Sequence, residues 1–245
     1  MTRYQLILEY DGTPFVGWQR QNNGPSVQQA LEEAIAGFCG ETVTVFAAGR
    51  TDTGVHALGQ VVHFDIEKQT AAATVRDALN HHLKPAPVAV LEAREAAGEF
   101  HARFDALRRH YLYRIVNRRA PLTLDRNRAW LVVKPLDADA MHEAAQALTG
   151  RHDFTTFRAA QCQSASPVKT LDAISVSRQV EELVVKVSAR SFLHHQVRSI
   201  VGSLAQVGLG RWPVEKIARI LEARDRSACG ALAPPHGLYL ERVDY

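Results

Sequence analysis

The sequence predicts an α+β fold built from two ferredoxin-like halves, and three observations predict it. Strand-like alternation and helix-like periodicity follow one another in the order β-α-β-β-α-β over residues 4–93. The same order recurs over residues 111–243. Apolar residues make up 46% of the 245 positions, enough to give each half a packed core. In this order an antiparallel sheet carries its two helices on one face, so the halves are expected to join into one mixed, mainly antiparallel sheet with helices on one face and an open, basic face in front. The expected boundaries are 1–105 and 106–245.

In the first half, Leu6, Leu8 and Tyr10 alternate along a strand from Tyr4 to Tyr10. A helix follows from Val27 to Phe38. Ser26 with Gln29 three residues on forms a capping box, and Gly40 stands where a left-handed C-terminal cap belongs. Strands Val43 to Ala47 and Gln60 to Ile66, a helix from Thr74 to Leu83 and a strand from Val88 to Ala93 complete the half. The second half reads as strand Tyr111 to Asn117, helix Ala138 to Leu148 between Asp137 and Gly150, strands Asp172 to Ser177 and Leu183 to Ala189, helix His195 to Val207, and strand Leu238 to Val243. Its additions are Thr123 to Lys134, a polar loop from Thr155 to Lys169, and a helix from Pro213 to Ala223 with proline in its first turn.

Several classes of protein are disfavoured by composition. The opening "MTRYQLILEY" is too short and too polar for a signal peptide, and the uncharged run Ser199 to Gly210 is too short to span a bilayer, so a cytoplasmic location and no membrane partner are expected. Cys39, Cys162 and Cys229 are far apart and odd in number, which supports neither a disulfide framework nor a zinc ribbon. The net charge of +3 identifies no partner by itself. The distribution is more informative, because arginine outnumbers lysine 23 to 6, and eight arginines lie between His101 and Arg128 against two acids, Asp105 and Asp125. Tyr111 and Tyr113 sit among them. Guanidinium forks bind phosphates and aromatic faces stack on bases, so this segment reads either as a nucleic-acid surface or as a strand edge carrying solvated charge.

One carboxylate stands apart. In "GRTDTG", Gly49 and Gly54 bound a turn that carries Arg50 and Asp52. The glycines permit tight backbone geometry, which can hold Asp52 at the mouth of a strand; the plain alternative is a turn aspartate bonding its own backbone. Asp65 is a whole strand away, so no carboxylate pair is indicated, and Asp52 would act alone as a nucleophile or a proton acceptor. On the last long helix, Val197, Ile200, Val201 and Leu204 form a core stripe with Arg198 at its margin, where a guanidinium is costly to bury unless an anion pairs with it. The face of Arg198 runs on through Gly202 and Ala205, small enough for the helix to lie close to the sheet. His194 and His195 lack a helical metal partner at zinc spacing, so no metal site is expected. Tyr111 and Tyr113 share one strand face, as a core pair or as a base-stacking platform.

Together "YDGTPFVGWQRQ" (Tyr10 to Gln21), "AGRTDTGVHALGQVVHF" (Ala48 to Phe64), "FHARFDALRRHYLYRI" (Phe100 to Ile115), "DFTTFRAAQCQS" (Asp153 to Ser164) and "FLHHQVRSIVGSL" (Phe192 to Leu204) make a chain that resembles the bacterial tRNA pseudouridine synthase I family from end to end. The resemblance implies the pseudouridine synthase fold and isomerisation of uridine to pseudouridine at positions 38, 39 and 40 of the tRNA anticodon stem-loop. It also implies a homodimer and no cofactor. It makes Asp52 the catalytic residue, Arg50 the arginine that displaces and holds the flipped nucleotide, Tyr111 the ring packed on the target base, and Arg198 the cation paired with Asp52. Thr53 departs from the family pattern, in which alanine is usual, and puts a hydroxyl beside Asp52. The alternative of another class is a non-catalytic RNA-binding protein of two ferredoxin-like halves, with Asp52 a structural turn residue.

Overall fold

The computed structural model describes residues 1–245. Its strands and helices, in chain order, are β1 (Thr2–Tyr10), α1 (Val27–Cys39), β2 (Phe46–Ala47), β3 (His56–Ile66), α2 (Ala72–His82), β4 (Val88–Ala96), β5 (Arg108–Val116), β6 (Trp130–Leu131), α3 (Ala138–Gln146), β7 (Gly150–Asp153), β8 (Val168–Gln179), β9 (Glu182–Ala189), α4 (Gln196–Gly208), α5 (Lys216–Ala223) and β10 (Leu238–Asp244). Contacts divide the chain into one unit of residues 1–109 with 239–245 and a second of residues 110–238. The fold is α+β, and the sheet in each unit is mixed and mainly antiparallel.

In the first unit the strand order is β4-β1-β3-β10, with the short β2 also on β3. β1 runs antiparallel to both β3 and β4, and β10 runs parallel to β3 through Tyr239 opposite His56. The alternation read from sequence fixes the buried face: Tyr4, Leu6, Leu8 and Tyr10 are all in the core, opposite Phe64 and Val62 in register. α1 buries Val27, Leu31, Ala34 and Ile35 and packs on α2. Gly40 takes the left-handed cap at φ 77°, donating its N–H to Ala36 at 2.8 Å. Only half of the capping box forms. Ser26 Oγ accepts from Gln29 N at 3.2 Å, but the Gln29 amide turns to Glu33 at 2.8 Å.

In the second unit the order is β5-β9-β8-β7, with β6 parallel to β5. Asp137 caps α3 through Ala140 N at 2.9 Å, and α3 packs on α4. Here the sequence reading needs correction in three places, the first being that α5 begins at Lys216, so Pro213 precedes the helix instead of standing in its first turn. Gly150 does not end the helix; at φ 101° it opens β7, an edge strand of polar residues whose composition carries no alternation to announce it. The presumed loop from Thr155 to Lys169 is also structured at both ends. Thr155–Phe157 is a 3₁₀ turn with Phe157 in the core and Thr156 Oγ1 donating to Ile220 O at 2.5 Å, and β8 begins at Val168. In the first unit, likewise, the strand expected from Val43 shrinks to Phe46–Ala47.

Candidate active site

Residues 48–56 leave β2, turn and enter β3, carrying Arg50 exposed and Asp52 half-buried. The turn closes through Val55 N to Asp52 O at 3.1 Å, and Gly54 supplies the left-handed residue at φ 75°. The loop is gripped from behind by the segment after β1. Trp18 N donates to Thr51 O at 3.0 Å, and Tyr10 Oη lies 2.8 Å from Thr51 Oγ1. Burial pushes the Tyr10 hydroxyl up to about 12, against the hydrogen bonds to Thr51 and Gln60, so it stays protonated at neutral pH. Gly17, at φ 114°, lies so close that a Cβ there would stand 2.8 Å from Thr51 O. This explains the glycine spacing of "DGTPFVG", which the sequence reading did not connect to the loop. Thr53 Oγ1 donates to Val16 O at 2.9 Å, so the extra hydroxyl has a backbone acceptor in the gripping segment.

Asp65 is held elsewhere. It makes a two-bond pair with Arg3 at 2.6 and 2.7 Å, which holds its carboxyl below the ordinary aspartate range. This agrees with the reading that Asp52 has no partner carboxylate in Asp65. His63 on β3 is buried, accepts the Ala102 N–H at Nδ1 (3.1 Å), and is pushed down to about 4 chiefly by that burial, so it is a neutral core residue.

The second unit carries the other two predicted residues. Arg198 sits in the first turn of α4, just after His195, which enters the helix at φ 65°. It is 9% exposed, with Nε donating to Ala233 O at 2.9 Å, while Ala233 N bonds back to Arg198 O at 3.2 Å. Gly202 makes this possible in an unexpected way. Its small size admits the 230–233 segment, with Ala231 O 1.8 Å from where a Cβ would be, and that segment, not the sheet, is the close neighbour.

Tyr111 is half-buried and meets Phe192 edge-on at 5.1 Å. Tyr113 is fully buried, donates to Pro234 O at 2.7 Å, and has its hydroxyl pushed up by burial. The two same-face tyrosines therefore separate, and no two-ring platform exists, because Tyr113 has no accessible face. The backbone N–H of His194 donates to Cys162 Sγ at 3.4 Å.

The arginine stripe also divides. Arg114 lies between Glu182 (2.6 Å) and Asp125 (3.0 Å), and Arg118 meets Glu181 at 3.2 Å. Arg109 is buried and donates to the carbonyls of Ala48, Arg103 and Ala106, an internal role that its place in "RRHYLYR" did not reveal. Arg119 and Arg126 remain on the exposed surface.

The chain matches the family model described as tRNA pseudouridine synthase over residues 6–105 and 144–245. It is 64% identical over 245 residues to the tRNA pseudouridine synthase A of Parvibaculum lavamentivorans, covering all of both chains. It is 62% identical to the protein of the same name from Maricaulis maris, covering all of this chain and 98% of that one. It is 60% identical to that of Afipia carboxidovorans, again over the whole of both.

Proposed function

Since the chain belongs to the tRNA pseudouridine synthase family and is a tRNA-modifying isomerase, we propose that it converts uridine to pseudouridine at positions 38, 39 and 40 of the anticodon stem-loop with Asp52 as the single reacting carboxylate. The observation that carries the reading is the Asp52 turn. It is fixed through the backbone and side chains of Thr51 and Thr53, and the segment after β1 grips it. A turn held this way limits where the Asp52 carboxylate can lie, which lowers the cost of aligning it with substrate. The reaction breaks the C1′–N1 bond, turns the base, forms C1′–C5, releases the C5 proton and protonates N1, so atoms and electrons balance without a cofactor. Asp52 serves as nucleophile or proton acceptor in that sequence.

The target base must leave the stack, at a cost of a few kcal/mol. Arg50, exposed two residues from Asp52, is proposed to offset that cost by holding the flipped nucleotide. Arg198, a cation largely withdrawn from solvent, is proposed as the partner that keeps Asp52 ionised. The reading is tested with tRNA labelled with tritium at uridine C5, in the presence of a chelator. Release of label without strand cleavage supports it; label retained by correctly folded enzyme on every tRNA refutes it. No helix is long and apolar enough to cross a membrane, which is compatible with the proposed cytoplasmic site of action.

Tyr111 is proposed to stack on the target base, Phe192 bracing its ring edge-on. One base–aromatic stack is worth about 1–3 kcal/mol, so Tyr111→Ala should lower kcat/KM by about 10- to 100-fold relative to Tyr111→Phe. Equal values for the two variants would remove the stacking role. Any deficit of Tyr111→Phe against wild type measures what the hydroxyl adds to proton transfer.

The working unit is proposed to be a homodimer in which exposed arginines such as Arg119 and Arg126 bind phosphates of a tRNA whose uridine enters the partner subunit's site. Mixing Asp52→Asn chains with inactive Arg119→Ala/Arg126→Ala chains leaves one intact combination in each mixed dimer. Activity should return to about half the wild-type value per mixed dimer. No recovery after proven subunit exchange would rule the arrangement out.

A further inference from the structure

We infer that Gln60 and Arg109 are positioning residues for the loop that carries Arg50 and Asp52, acting on its entry peptides and not on RNA. The inference rests on Asp52 being the reacting carboxylate. Gln60 projects from β3 and is fully buried. Its amide meets both backbone groups of one residue: Nε2 donates to Gly49 O at 2.7 Å, and Gly49 N donates to Oε1 at 3.4 Å. Arg109, at the start of β5, is 7% exposed. It gives Nε and one terminal nitrogen to Ala48 O, at 3.2 and 2.8 Å, and bonds Arg103 O at 2.6 Å and Ala106 O at 3.2 Å.

Two long polar side chains are seldom buried unless their bonds are made, and here those bonds converge on two consecutive peptides. Ala48 and Gly49 are the last residues before Arg50. On the far side, Trp18, Tyr10 and Val16 hold Thr51 and Thr53. The loop is thus clamped before and after the two residues it presents. Ala48 N also donates to Val61 O at 2.8 Å, but the bonds on Ala48 O and on Gly49 come from side chains, so substitution can release them while the strands stay paired. Arg109 also ties the loop to the 100–106 segment, which packs on β3 through Ala102 against Val61. A displacement of about 1 Å in a reacting group can cost about 10²-fold in rate, which is the effect expected when the clamp is lost.

The test compares Gln60→Met, Gln60→Glu and Arg109→Lys with wild type and Asp52→Asn. Single-turnover rate at saturating enzyme, tRNA Kd and melting temperature are measured on each. Gln60→Met keeps the volume and loses both bonds to Gly49 together with the hydrogen bond to Tyr10; its rate should fall about 10- to 100-fold with Kd within about threefold. Gln60→Glu has a built-in readout. A protonated carboxyl can accept from Gly49 N and donate to Gly49 O, whereas an ionised one cannot donate, and burial raises carboxyl pKa values. Its rate relative to wild type should therefore be about tenfold higher at pH 5.5 than at pH 8.5. Arg109→Lys keeps the charge without the fork, and should fall between wild type and Gln60→Met. A merely structural role predicts a lower melting temperature with the rate of the folded protein unchanged. A wild-type rate in folded Gln60→Met, or a Gln60→Glu rate reduced equally at both pH values, overturns the inference. If Gln60→Met fails to fold, the pH ratio of Gln60→Glu decides. Retained turnover in Asp52→Asn would instead sink the catalytic reading, whatever the Gln60 variants do.

Discussion

Asp52→Asn is expected to lower single-turnover isomerisation by at least about 10³-fold while tRNA Kd changes by less than about threefold. The amide has the shape of the carboxylate and lacks its charge, and the chemistry needs the charge. Folding should be unaffected, because the turn is anchored by groups the substitution leaves in place. Those are Thr51 O on Trp18 N, Thr51 Oγ1 beside Tyr10, Thr53 Oγ1 on Val16 O, and Gly49 on Gln60. Tritium release, filter binding and a thermal melt on one preparation separate the three quantities. Turnover within tenfold of wild type would show that Asp52 is not the reacting group. Loss of rate, binding and folding together would make it a structural turn residue.

Gly202→Ala should destabilise the protein by more than about 3 kcal/mol, an unusually large effect for a single methyl group. By helix propensity alone the change in α4 would be stabilising by about 1 kcal/mol. Overlap decides the sign. The new Cβ would lie 1.8 Å from Ala231 O and 3.1 Å from Ala233 N, both backbone atoms with no rotamer to retreat into. The 230–233 segment must move, and Ala233 is the residue that accepts from the Arg198 side chain and donates to its carbonyl. Activity should therefore fall along with the urea midpoint. Gly98→Ala is the control, since a Cβ there meets nothing within 4 Å, and its stability should stay within about 0.5 kcal/mol of wild type. If Gly202→Ala is as stable as that control, the close approach of the segment to α4 is wrong.

How far the sequence reached can be judged on particular residues. The faces of β1 and β3, the position of α1 between Ser26 and Gly40, and the turn that carries Asp52 were all legible, because period, caps and glycine placement are local. The edge strand β7 was not. Its residues are polar on an edge, where pairing with β8 and not composition holds them in extended form. The start of the polar loop from Thr155 to Lys169 was misjudged for the opposite reason: the stretch is polar as a whole, yet Thr156 and Phe157 are fully buried. Arg198 and Tyr111 were found as candidates, whereas Gln60, Tyr10 and Gly17 were not, since their value lies in which peptide they touch.

By itself, then, the sequence determined the α+β order of elements, the inward faces of strands and helices, and the placement of Asp52 and Arg50 on one glycine-bounded turn. Each of these follows from interactions within a few residues. Tertiary structure alone decided that Tyr113 is core while Tyr111 keeps an accessible face, and that Arg109 serves carbonyls 3, 6 and 61 residues away. It also decided that Gly202 meets a distant segment instead of the sheet, and that residues 239–245 belong with the first unit through Tyr239 beside His56. A periodic pattern specifies that a surface will be buried. What buries it depends on chain distant in sequence, whose placement is settled only when all the elements pack at once.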